Sequence, residues 1–113
     1  MCMKISKEDL LRINNGFDGN IRSGSSLDFA LEKFESKKLG EYKKLAYLVR
    51  AILVDHPFSD GNKRTATFIA FAFAEENKKE VDRELLIHQI VSIAKNNIND
   101  IRNIENRLKT AIK

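Results

Sequence analysis

The stretch His56-Pro57-Phe58-Ser59-Asp60-Gly61-Asn62-Lys63-Arg64 separates two long helical patterns and decides how the chain is organised. Pro57 is the only proline in the sequence. Proline cannot occupy a helix interior and drives its predecessor out of the α region, so the pattern running up to Asp55 must end near His56. Upstream, Leu45, Leu48, Val49 and Ile52 form one face of a helix over 42–55, widened by Tyr47, Ala51 and Val54. Such a helix is about 21 Å long, comparable to the width of a small domain. Downstream, Ala66, Phe68, Ile69, Ala70, Phe71, Ala72, Phe73 and Ala74 are apolar nearly all round. That composition predicts a central buried helix with its three phenylalanines in the core.

The flanking sequence reads as further helices. Ser6, with Asp9 three residues on, predicts an N-cap for a helix carrying Leu10, Leu11 and Ile13 and stopping at Asn14-Asn15-Gly16. Residues 14–24 hold three of the five glycines and four asparagine or aspartate residues, the composition of a surface loop. Ser25 or Ser26 is expected to cap a helix bearing Leu27, Ala30, Leu31 and Phe34, with a short connector around Gly40. Asp82 is expected to cap a helix through Leu85, Leu86, Ile87, Ile90, Val91, Ile93 and Ala94. The stripe Ile101, Ile104, Leu108 and Ile112 predicts a last helix docked on one neighbour, or offered to a partner. β-branched residues follow a helical period throughout, so the expected fold class is all-α, about six helices, with the 56–64 loop leading into the central buried helix.

The 113 residues are one domain's worth, and 1–113 is expected to form a single unit. Hydrophobic content of 42% with 32% charged residues is that of a globular chain, and no apolar run approaches the roughly 20 residues that span a bilayer. No secretory signal is read at the N-terminus, and the single cysteine, Cys2, reads as an inert end residue without an internal disulfide partner. A cytoplasmic location and no membrane partner are expected. The net charge of +4 is spread from Lys4 to Lys113 among acids, and Lys37-Lys38, Lys43-Lys44 and Lys78-Lys79 read as solvated helix ends. No dedicated nucleic-acid surface is expected.

The 56–64 stretch also carries chemistry. It leads into a helix N-terminus, where orphan amides and the dipole favour a negative group. Gly61 permits close approach or a positive φ, and Arg64 in the first turn can clamp a phosphate. Lys63 and Arg64 oppose the dipole there, a local conflict that an anion would resolve. Asp60 can hold a magnesium ion bridging phosphate oxygens. His56 lies off the helix and is suited to take a proton from a hydroxyl. Asn62 can fix the loop by side-chain hydrogen bonds. Residue by residue a structural alternative stands beside this one: Asp60-Gly61-Asn62 as a turn and cap, Phe58 as core filler and His56 as a buried, satisfied imidazole. As a set, a base, a carboxylate, an anion nest and a guanidinium supply what transfer from a nucleotide phosphate needs.

The stretch resembles the signature of the Fic/Doc (Fido) superfamily, H-x-F-x-[D/E]-[G/A]-N-[G/K]-R, at every fixed position: His56, Phe58, Asp60, Gly61, Asn62, Lys63 and Arg64. Thr65-Ala66 continues it in the manner of the death-on-curing (Doc) branch. The resemblance implies an all-helical domain that moves part of ATP onto a protein hydroxyl. By that resemblance His56 is the general base, Asp60 the magnesium ligand, and Gly61, Asn62, Lys63 and Arg64 the nucleotide-binding residues. Two positions depart from members that transfer AMP: Lys63 replaces their usual glycine, and Thr67 their second arginine. A lysine in the nest is associated in the Doc branch with an inverted nucleotide and phosphoryl transfer. A Doc-like protein kinase is therefore expected, with an AMP-transferring enzyme as the alternative and a degenerate binding module as a further one.

The inhibitory pattern [S/T]-x-x-x-E-[G/N] of Fic proteins is absent, because Glu76-Asn77 and Glu105-Asn106 are preceded at that spacing by Ala72 and Ile101. A separate partner, an antitoxin protein in a toxin-antitoxin module, is the expected regulator, and by analogy with Doc the protein substrate belongs to the translation machinery. The 37–42 connector stands where the family holds a flap that positions its target. A metal-dependent hydrolase using His56 and Asp60 is a rival that lacks a third ligand, since His88 falls on a separate helix and reads as an exposed face residue.

Overall fold

Six helices make up the computed structural model, which describes residues 4–113. In chain order they are α1 (Lys7–Asn15), α2 (Ser25–Phe34), α3 (Glu41–Asp55), α4 (Asn62–Glu76), α5 (Arg83–Lys95) and α6 (Ile101–Ala111). The described residues contain no strand, only the isolated bridges Ile21 to Phe58 and Val81 to Ile112. The expected all-α class is thus observed. Cys2 lies outside the described residues.

Local chemistry starts the helices. Ser6 and Asp9 form a reciprocal capping box, with bonds of 3.1 and 2.9 Å. The Ser6 amide first, then the Ser6 hydroxyl, holds the Asp9 carboxyl below its ordinary pKa. Asp82 caps α5 through the Leu85 amide, as expected, and Asp100 caps α6 in the same way through Arg102. The start of α2 differs from expectation: Gly24 is the N-cap residue and Ser25 is already helical, without a side-chain cap.

Burial centres on α3 rather than on α4. α3 touches α2, α4, α5 and α6, and Leu45, Leu48, Val49, Ile52 and Leu53 along it are fully buried. Of the three phenylalanines assigned to the core from α4, only Phe73 is buried; Phe71 is half-buried and Phe68 is 48% exposed. The two-sided apolar pattern of α4 therefore includes a face that no other helix covers. Nor does α6 dock on a single neighbour, since it packs on both α3 and α5, and Ile104, Leu108 and Ile112 are buried. The Tyr42 hydroxyl donates to the Ile112 carbonyl at 2.8 Å and closes that end of the bundle. Replacing Ile52, fully buried on the hub helix, by alanine is expected to destabilise the fold by about 2–5 kcal/mol in urea denaturation.

The connector ahead of Glu41 lies at the N-terminal end of α3, and His56 at its other end, about 22 Å away along the axis. The 37–42 segment thus lies at the opposite end of α3 from the 56–64 loop. No helix among the described residues is long and apolar enough to cross a membrane.

Candidate active site

The 56–64 stretch forms a tight passage from α3 to α4. His56 ends α3 in the left-handed region, φ 48° and ψ 61°, and its side chain is exposed. The proline effect is visible here, but the chain escapes the right-handed region by a left turn rather than by extending. Pro57 and Phe58 are buried, Phe58 to 1% exposure, and anchor the loop in the core. Asn62 reaches back to Phe58, accepting from its amide at 3.3 Å and donating to its carbonyl at 3.0 Å. That side chain is the brace expected of it.

Gly61 caps α4 with φ 73°, and no side chain makes a capping hydrogen bond there. The Thr65 amide makes the bond to the Gly61 carbonyl at 2.9 Å, which leaves the amides of 62–64 as the orphan donors of the first turn. The Gly61 amide donates to Asp60 Oδ1 at 2.7 Å. Lys63 and Arg64 are exposed, no acid stands in the first turn, and neither cation forms an ion pair among the described residues. Thr67 spends its hydroxyl on the Lys63 carbonyl at 2.8 Å. Asp60, Gly61, Lys63 and Arg64 thus fall at the uncapped start of α4, and His56 at the end of α3 on the other side of the same loop.

The loop between α1 and α2, read from its composition as a surface loop, is the wall of this site. The Arg22 and Ser23 amides donate to the Pro57 carbonyl at 2.7 and 3.2 Å, and the Ser59 amide donates to the Asn20 carbonyl at 2.8 Å. The Asn20 amide returns a bond to Ser59 Oγ at 3.1 Å, and Ile21 bridges to Phe58. Buried Gly19 has no room for a side chain, because an added Cβ would overlap Asn14 Oδ1 and the Asp60 carbonyl. Phe17 covers Gly61 and meets Phe68 edge to face at 6.4 Å between ring centres. Phe17, Phe68, Phe71, Ile87 and Val91 then line a groove of about 420 Å³ that adjoins Lys63 and Arg64.

These wall residues gave no sign of their role in the sequence. Asn14 read as a helix stop and Gly19 as loop composition; no spacing rule links either to a loop some forty residues away.

Asp60 is an exposed carboxylate beside the uncapped start of α4. That donor set fits magnesium, which takes one or two carboxylates and completes its shell with water and phosphate oxygens. It does not fit a caged metal: the described residues contain no group of three or more His, Cys, Asp or Glu side chains able to hold one. His88 is exposed on α5 and joins no such group, which weighs against the hydrolase. His56 is exposed rather than buried and satisfied, as its structural alternative required.

A family model described as Fic/DOC family matches residues 5–74, more than half of the chain, from the α1 cap through nearly all of α4. No curated protein and no solved structure matches it.

Proposed function

This chain belongs to the Fic/DOC family, and on that premise we propose that it transfers the terminal phosphoryl group of ATP to a protein hydroxyl. The observation that carries the reading is the uncapped N-terminus of α4, flanked by exposed Lys63, Arg64, Asp60 and His56 on one braced loop. The amides of 62–64 and the Arg64 guanidinium would bind the phosphates. A magnesium ion held by Asp60 would neutralise charge that builds on the phosphate oxygens. His56 takes the proton of the acceptor hydroxyl as its oxygen bonds to the terminal phosphorus, and the bond from that phosphorus to the bridging oxygen breaks, releasing ADP.

Lys63 decides which phosphorus reacts. Its side chain stands at the second position of the helix, where a long cation adds charge and bulk to the cradle. Such a site is suited to gripping a terminal phosphate rather than to threading a triphosphate past it. The second reading, AMP transfer, is favoured by a helix start that would serve an α-phosphate equally well, and is opposed by Lys63 and Thr67, which depart from the members that transfer AMP. The intact constellation argues against a degenerate binding module. In the absence of an inhibitory motif, control by a separate antitoxin-like protein and a target in translation remain parts of the proposal that follow from the Doc resemblance alone.

Mass spectrometry of the modified target tests the reading: a phosphate adduct is expected, and an AMP adduct from the unaltered protein overturns it. Lys63→Gly is expected to slow phosphoryl transfer roughly 10- to 150-fold, the equivalent of one charged hydrogen bond of about 1.5–3 kcal/mol. Initial rates at saturating target check this.

A further inference from the structure

We propose that Asn14 is a positioning residue for the anion cradle, acting through the backbone of the 56–64 loop and the first turn of α4. The inference rests on the nucleotide-transferase reading given above. Asn14 is the last buried residue of α1, 1% exposed, and its side-chain amide is the only donor spanning both ends of the cradle among the described hydrogen bonds. Nδ2 donates to the Asp60 carbonyl at 2.8 Å and to Thr65 Oγ1 at 3.1 Å. The Asp60 carbonyl can only accept, so the amide cannot be reversed. Its two hydrogens are therefore both committed, one on each side of the segment whose free amides face the anion.

Oδ1 has no hydrogen-bond partner among the described residues. A buried acceptor left unpaired is unfavourable, and the surroundings hold it there all the same. Gly19 closes against Oδ1, the Gly19 amide donates to the Asn14 main-chain carbonyl at 3.2 Å, and Phe17 covers Gly61. The arrangement makes sense if the geometry of the Asp60-Gly61 peptide, and with it the direction of the Gly61 amide and the Asp60 carboxylate, is what Asn14 secures.

The test is calorimetric binding of magnesium with a non-hydrolysable ATP analogue to the full chain, well below its melting temperature, for the parent, Asn14→Leu and Thr65→Val. Both substitutions are nearly isosteric; the first removes two hydrogen bonds and the second one. With circular dichroism unchanged, Asn14→Leu is expected to bind roughly tenfold more weakly and Thr65→Val to lie between it and the parent. A purely structural Asn14 would lower the melting temperature of Asn14→Leu while leaving the affinity of the folded molecules at the parent value, and that result overturns the proposal. If Asn14→Leu does not fold, Thr65→Val decides, and parental affinity there overturns it equally. A parent that binds no nucleotide sinks the transferase reading and this proposal together; a parent that binds, beside an Asn14→Leu that binds as well, sinks this proposal alone.

Discussion

Replacing His56 by asparagine is expected to lower the rate of transfer about 10²- to 10⁴-fold, the usual contribution of a positioned general base. Nucleotide affinity and melting temperature should stay near those of the parent. His56 is exposed, so no packing is lost with the imidazole. Its backbone, however, has φ 48°, where most side chains are strained and asparagine is tolerated. Asparagine therefore removes the base without disturbing the passage into Pro57, whereas alanine would mix a catalytic effect with a conformational one. Single-turnover rates alongside calorimetric binding separate the two. An asparagine variant that transfers at the parental rate would mean that the proton leaves by another route.

The second large effect is expected from Gly61→Ala. Gly61 combines φ 73° with close neighbours: an added Cβ would lie 3.0 Å from both Phe17 Cβ and the Phe17 carbonyl, and 3.2 Å from Asn14 Nδ2. A left-handed conformation costs a residue with a Cβ roughly 1–2 kcal/mol. Overpacking against Phe17 adds about 1–3 kcal/mol. Together these are a large part of the roughly 5–15 kcal/mol that holds a domain folded. The melting temperature should fall by about 10 °C or more. The strain falls on the peptide that opens the first turn of α4, so nucleotide binding is expected to weaken in the fraction that remains folded. Thermal denaturation and calorimetry on the same samples check both arms; parental affinity in the folded fraction would contradict the account of the cradle.

What the sequence allowed to be read follows from how local each feature is. The end of α3 and the start of α4 were legible because Pro57 and Gly61 act on their own backbone, and the starts of α1 and α5 because Ser6 and Asp82 cap amides three residues away. The candidate site residues lie within nine positions, so their proximity was legible as well. The support of that site was not. Asn14 and Gly19 reach the loop across some forty residues, through hydrogen bonds and a missing side chain that leave no periodic trace. Phe68 shows a related limit: apolar composition indicates that a helix has an apolar face, but not which neighbour fails to cover it. On α4 that face looks onto the groove beside Lys63 and Arg64.

The central claim is that this cradle moves the terminal phosphoryl group of ATP to a protein hydroxyl. The most direct measurement supplies the chain and a lysate of its source cells with ATP labelled at either the α- or the γ-phosphorus, and compares protein-bound label with that from His56→Asn run in parallel. The account predicts γ-label on protein above the His56→Asn background and no such excess of α-label. An excess of α-label, or γ-labelling that is the same with and without His56, would contradict it.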